Sequence, residues 1–341
     1  MKNKITIREI AKIMNISHTT VSRALNDSDL VTEETKNKIK EVAQAYGYQM
    51  NYTARSLATG IKMTIGILYP SSKLRQNDSW YTSTLISLIR KELEKEKIDC
   101  IISGYDTTEN HINDICRLVT EQKVDGLMIL GHEITKPVID VLNESTKNLL
   151  FINPNPKLDL SNFNRIIIDD LCGGQLVANK FRNLNIEDII IISQDTGQFK
   201  KRIKGFTNEI QKIKDISDPL NIDTIFVNDS EIYSLRQTLN SKLHLFKNKK
   251  AIFALSDRLA FGTCNILSEN NYSIPSDFEV IGYDDIEWCE YFIPTLTSVH
   301  QPRFKVAKIA SRIMKKRILE KDYNVECITL KPKLICRNST K

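Results

Sequence analysis

The sequence predicts an α/β protein: a small all-α module at the front and a two-subdomain body of parallel sheets behind it. Three observations predict this. Apolar residues recur at helical spacing between Ile5 and Gly47. From Met63 onward, short runs that are apolar throughout alternate with helical stretches, and that alternation starts over near Arg165.

In the front module, Ile7, Ile10, Ala11 and Met14 fall at i, i+3, i+4 and i+7, one face of a short helix. Thr6 precedes them and Glu9 follows Thr6 by three residues. That is the spacing of a capping box, in which hydroxyl and carboxylate each satisfy an orphan backbone N–H. Asn15-Ile16-Ser17 breaks the period, and Ser17 can cap a second helix that turns Val21, Ala24 and Leu25 inward. A third helix begins after Thr32 and runs through Ile39, Val42, Ala43 and Tyr46 to Gly47, a C-terminal stop. Two short helices joined by a three-residue turn and buttressed by a third form a helix-turn-helix, whose second helix enters the major groove of DNA. The outward residues of that second helix are His18, Thr19, Ser22, Arg23 and Asn26. Arg23 suits a bidentate contact with guanine O6 and N7, and Asn26 suits a base or a phosphate. Thr6, Ser17, Thr20, Thr32 and Thr35 stand near helix starts, where hydroxyls and backbone N–H groups grip phosphates. The bland alternative is a generic three-helix unit with a solvated polar face.

The next stretch favours DNA. Asn51 to Ala58 is helix-capable but too short to be stable alone in water. A helix of this size with an exposed Leu57 makes sense if it folds on binding, with Leu57 as an apolar wedge between base pairs in the minor groove. Asn51, Ala54 and Arg55 join it as candidate contacts. The expected division is a headpiece at 1–49, a hinge at 50–62 and a body at 63–341.

Charge agrees with this division. Residues 1–62 hold ten Lys/Arg against six Asp/Glu, so +4 of the formal +6 sits in less than a fifth of the chain. A concentrated positive module fits a polyanion partner, and the body is near neutral. A hydrophobic content of 41% supports a large core in two or three domains. The seven cysteines, Cys100, Cys116, Cys172, Cys264, Cys289, Cys327 and Cys336, are odd in number and show no metal-ligand spacing. They read as reduced thiols of a cytoplasmic protein, several of them buried, and no metal or cofactor is expected. MKNKITIREI lacks a signal-peptide core and no apolar run reaches membrane-span length, so no membrane partner is expected.

In the body, strand-like runs at Thr64–Tyr69, Ile98–Ser103, Val124–Leu130 and Leu149–Ile152 alternate with helical spacing around Leu85–Leu93, His111–Gln122 and Pro137–Ser145. A second round runs from Arg165–Ile168 and a helix at Gly173–Asn183 through Ile189–Ile192, Ile222–Val227, Ala251–Leu255 and Phe278–Ile281. Thr297–Val299 and Ile328–Ile335 complete the sheets. The expected subdomains are about 63–162 with 290–322, and about 163–289 with 323–341. Ligands of open parallel sheets bind beyond the carboxyl ends of the strands, here in the cleft between subdomains. Trp80 and Tyr81 follow the first strand, Asn153 ends the fourth, and Gln198 and Arg202 follow Ile189–Ile192. Ser256 and Asp257 follow Ala251–Leu255, and Asp284 and Asp285 follow Phe278–Ile281. Carboxylates, amides, an arginine and aromatics suit a polyhydroxyl ligand, whose hydroxyls donate and accept while a ring face lies on an aromatic. Asp169 and Asp257 read more simply as helix N-caps or strand-end acceptors.

TIREIAKIMNISHTTVSRALN, VTEETKNKIKEVAQAYGY and the hinge NYTARSLATG resemble the lactose/galactose repressor (LacI–GalR) family, and the resemblance extends over essentially the whole chain. It implies a headpiece, a hinge helix and a periplasmic-binding-protein-like body. His18, Thr19 and Arg23 take the base-reading positions, and Leu57 the wedge. Met50 stands where the family has proline, which leaves the entry to the hinge less rigid. Arg202 in RIKGF and Asp284 in VIGYDDIEW match ligand-contacting positions, and Gln301 in TLTSVHQP a cleft-lining one. Asn153 and Ser256 stand where many members have Asp and Asn, and Trp80-Tyr81 replaces a phenylalanine pair. The implied function is a repressor of carbohydrate-utilisation genes. It acts as a homodimer on a pseudo-palindromic operator, controlled by a small sugar. The alternatives are a catabolite-control-type regulator with a protein or phosphometabolite corepressor, and a sugar-transport binding protein. An enzyme is disfavoured. There is no P-loop and no GxSxG, and the adjacent carboxylates Asp284-Asp285 point apart in an extended segment.

Overall fold

The computed structural model describes residues 5–26, 28–48, 56, 59–70, 79–105, 112–131, 134–212, 221–228 and 231–341. They fall into two compact units, Met1–Met63 and Thr64–Lys341. The hinge candidates Asn51, Ala54, Arg55 and Leu57, and Met50 before them, lie outside the described residues.

The first unit holds α1 (Ile7–Met14), α2 (His18–Leu25) and α3 (Glu33–Ala45). The capping box closes as its spacing requires: the Glu9 N–H donates to Thr6 Oγ1 at 3.3 Å and the Thr6 N–H to Glu9 Oε2 at 2.7 Å. Asn15 ends α1 in the left-handed region at φ 54°, where asparagine costs little. Ser17 and Thr32 cap α2 and α3. Ile10, Val21, Ala24 and Ile39 are fully buried, with Ala11, Val31 and Ala43 around them. Tyr46 is 57% exposed, so the inward pattern of α3 ends at Ala43 and Tyr48 packs in its place.

The second unit is built on two six-stranded sheets. The first runs in the order β11 (Cys327–Leu330), β5 (Asn164–Ile168), β4 (Leu149–Ile152), β3 (Gly126–Leu130), β1 (Thr64–Pro70), β2 (Asp99–Tyr105). The second runs β12 (Lys333–Ile335), β10 (Thr297–His300), β9 (Glu279–Asp284), β8 (Ala251–Ala254), β6 (Asp188–Ser193), β7 (Asn221–Phe226). All pairings are parallel except β10 with β12. Helices α4 (Ser79–Lys95), α5 (Ile112–Thr120) and α6 (Lys136–Ser145) belong to the first lobe. Helices α7 (Asp170–Asn183), α8 (Gly197–Ile210), α9 (Ile232–Ser241) and α10 (Asp257–Glu269) belong to the second. Helix α11 (Arg303–Lys315) returns to pack on α4, β4 and β5. Central strands such as β3, β4 and β8 are buried at every residue, which is why they read as continuous apolar runs.

Three strand assignments differ from the sequence expectation. Arg165–Ile168 does not open the second round; as part of β5 it completes the first sheet beside β4. The late run Ile328–Ile335 is two strands, β11 in the first sheet and β12 in the second, parted at Lys331-Pro332. Proline cannot donate to a ladder, and the chain changes lobe there. The β10 strand likewise belongs to the second sheet, so residues 290–300 do not join the first lobe. The chain thus passes between lobes three times, at Asp169, at Gln301-Pro302 and at Lys331-Pro332.

Candidate functional site

The headpiece presents its polar face on α2. His18, Thr19 and Arg23 are exposed, while Ser22 is half-buried. Several hydroxyls expected to touch DNA are engaged locally. The Ser17 hydroxyl accepts from the Thr20 N–H at 3.1 Å and lies 2.7 Å from that of Thr19. Thr32 accepts from Thr35, and Thr6 from Glu9. Asn26 Nδ2 donates to the Ser22 carbonyl at 2.9 Å, so its amide points back along its own helix. His18 and Arg23 thus project from this face, and Thr19 projects with its hydroxyl bonded to that of Ser17.

In the body, a cleft between the lobes opens at the carboxyl ends of β6, β8 and β9. It is lined by Trp80, Tyr81, Thr82, Gln194, Thr196, Gln198, Phe199, Arg202, Ser256, Asp257, Arg258, Asp284, Ile286 and Gln301. Its cavity of about 110 Å³ has room for several waters. Seven of the eight residues named from sequence meet here. Asn153 does not: its side-chain oxygen accepts from the Ile168 N–H at 2.7 Å, which ties β4 to β5.

Arg202 is the anchor of the cleft. It is 1% exposed, and its guanidinium lies 3.6 Å from the centre of the Tyr283 ring. Nε donates to Asp170 Oδ1 at 2.9 Å, Nη1 donates to the Leu255 carbonyl, and Asp284 Oδ1 stands 3.8 Å from Nη1. The Tyr283 hydroxyl donates to the same Asp170 oxygen at 3.1 Å. Glycines allow this placement: a Cβ at Gly173 would overlap the Tyr283 hydroxyl, and one at Gly174 would overlap the Arg202 carbonyl.

Opposite Arg202, Asp284 accepts from Gln301 Nε2 at 2.6 Å. Asp284 and Asp285 hold φ of 113° and 51°, a conformation that non-glycine residues rarely adopt. Arg303 clamps the pair by donating to both of their carbonyls at 2.6 Å. Asp257 is not the cap of α10. Ser256 caps it, and Asp257 accepts from the Ile286 N–H at 2.8 Å and from the Ser298 hydroxyl. Asp169 does cap α7, through the Cys172 N–H. Burial raises the Asp257 carboxyl well above the usual range, with the Asp284 charge adding to it. Burial also raises Asp284, against the pull of Arg202. Two buried polar atoms in the cleft, the Tyr81 hydroxyl and Gln301 Oε1, have no hydrogen-bond partner among the described residues. At the mouth, Trp80 packs against Phe261 at 6.4 Å and Trp288 at 6.5 Å between ring centroids. Among the described residues no cluster of side chains could hold a metal ion, and no helix is long and apolar enough to cross a membrane.

The sequence reading missed Asp170, Tyr283 and Arg303, which position the cleft groups, and Thr82, Gln194, Thr196 and Phe199, which line it. Asp170 adjoins Asp169 and follows the apolar run Ile166–Ile168, so its acidic character at a strand end was an available signal. Tyr283 sits within an apolar run and gave none.

A three-helix module that presents a reading helix, ahead of a two-lobed body with a polar cleft, defines a DNA-binding transcriptional regulator. The family model for bacterial regulatory proteins of the lacI family matches residues 6–51, and that for a periplasmic binding protein-like domain matches residues 178–340. The HTH-type transcriptional repressor PurR of Vibrio parahaemolyticus is 28% identical over 98% of both chains. The Lac repressor dimer bound to operator and the anti-inducer ONPF superposes with a TM-score of 0.75 over 99% of both chains, and at 20% identity it speaks for the fold. A LacI family transcriptional regulator from Enterococcus faecium with bound ribose gives 0.69 at 26% identity, covering 81% of this chain and 98% of that one. The chain thus carries a lacI-type DNA-binding domain ahead of a periplasmic-binding-protein-like domain.

Proposed function

We propose that this regulator is a non-enzymatic, homodimeric repressor of carbohydrate-utilisation genes, released from its operator by a neutral sugar bound in the body cleft. One observation carries the sugar: carboxylate, amide and hydroxyl groups converge on one cleft in which the buried cation Arg202 is already neutralised. Arg202 is paired with Asp170 and faces Asp284, so it offers an added phosphate or carboxylate no spare charge. The unpartnered Tyr81 hydroxyl and Gln301 oxygen are poised for ligand hydroxyls. The regulator with bound ribose, related at 26% identity, supports the same ligand class. On the DNA side His18, Thr19 and Arg23 are proposed as base readers, and residues 50–62 as the hinge with Leu57 its wedge.

The protein's two tryptophans, Trp80 and Trp288, stand together at the cleft mouth and supply the assay. Full-length protein is titrated with D-ribose and a panel of neutral pentoses and hexoses, reading tryptophan emission and affinity for operator fragments selected from genomic DNA. At least one sugar shifts emission and weakens operator binding. Operator affinity unmoved by the whole panel overturns the inducer assignment and favours a protein or phosphometabolite corepressor.

A further inference from the structure

The groove between α1 and α2 adjoins the proposed base-reading face and shares His18 with it. Arg8, Ala11, Lys12 and Asn15 line one side, and Ile16, Ser17 and His18 the other. Arg8 and Lys12 are spaced i, i+4 and exposed, so their side chains leave the same helix face about one turn apart. Charge compensation differs across the headpiece. On α3, Lys36 is paired with Glu33 and Lys38 with Glu34, both at 2.7 Å. On the groove, the one nearby acid, Glu9, is occupied by the Thr6 N–H and hydroxyl. The start of α2, with the positive end of its dipole, closes the same groove. Among the described residues of the headpiece, the positive charge outside these ion pairs therefore includes that of this groove and of Arg23 on the reading helix.

We propose that Arg8 and Lys12 grip the phosphate backbone flanking the bases that α2 reads, successive phosphates of one strand lying along the groove. The inference rests on the DNA-binding reading and adds two contacts to it. An isolated anion would use one cation. Two cations one turn apart, continuous with a base-reading face, match a repeating polyanion.

The test uses the full-length chain and a mixed-sequence duplex, with anisotropy binding followed between about 50 and 200 mM salt. Variants are Arg8→Gln, Lys12→Gln and the double, glutamine being a comparable helix former; melting curves check that the fold is kept. Lys38→Gln, which removes the same charge from α3, is the control. Each lost phosphate contact lowers the slope of log K against log salt by about 0.9, so the double variant loses about 1.8 per bound headpiece while the control keeps its slope. Unchanged slope in the double variant overturns the proposal, as does an equal loss in Lys38→Gln, which would indicate a diffuse field. A change in preference between duplex sequences would make the pair base readers and overturn it too. Failure of the unmodified protein to bind any duplex would sink the DNA-binding reading itself, and is seen before any variant is made.

Discussion

Asp257 shows how one residue sets a condition on the whole body. Its carboxyl is buried between the Ile286 N–H and the Ser298 hydroxyl, and burial together with the Asp284 charge raises its pKa. The folded state therefore holds a proton that the unfolded chain releases in the ordinary carboxylate range. Its contribution to stability is full in acid and is lost as pH rises through the raised value. The melting temperature of the ligand-free protein is expected to fall as pH is raised from about 5 to about 8, and Asp257→Asn to flatten that trend. A wild-type melting temperature that climbs over this interval would contradict the assignment. Residue roles were legible where the chemistry is local. The Thr6–Glu9 box and the Asp169 cap are satisfied within three residues, so spacing alone gives them. Asn153 was not, because what consumes its amide is the Ile168 N–H on a neighbouring strand. The same holds for Asp257, whose partners come from the segments around Ile286 and Ser298.

Between elements, the tightest contact places backbone on backbone. Gly174 of α7 lies against the Arg202 carbonyl and the Phe206 N–H of α8, and Gly205 of α8 against the Leu171 carbonyl of α7. Gly174→Ala forces these helices apart, an overpacking cost of about 1–3 kcal/mol. Alanine's better helix propensity offsets about 1 kcal/mol of that. The net expectation is a loss of stability, measured as a lower urea midpoint, with weaker ligand-induced tryptophan change because Arg202 rides on α8. Gly197→Ala, where nothing lies within 4 Å, is the control and should be neutral or better. An unshifted midpoint for Gly174→Ala would show that α7 and α8 can separate freely. At this scale the sequence told which runs are strands and not which sheet they join. Apolar runs reveal burial on both faces, whereas sheet membership follows from where the chain crosses between lobes. That is why β5 and the split between β11 and β12 were misplaced. Near Asp169 and Pro302 the crossings carry no local pattern that marks them as such.

For the molecule as a whole, ligand control requires the sugar to bind two arrangements of the body unequally, and the coupling is then reciprocal. The Arg303 clamp gives this a concrete carrier. One guanidinium, at the first turn of a helix of the first lobe, holds both carbonyls of the left-handed pair that ends β9 in the second. The carboxylate of the same Asp284 forms the cleft wall. Arg303→Ala is therefore expected to leave the cleft able to take up sugar, read as a tryptophan change, while operator affinity responds far less to it. If sugar still releases operator from Arg303→Ala as from the parent, transmission runs elsewhere. Recognition and movement would then share a single mechanical joint: an aspartate that felt the sugar would not shift without dragging the neighbouring lobe's helix along, and evolution could retune the switch by altering that arginine while leaving the choice of sugar intact.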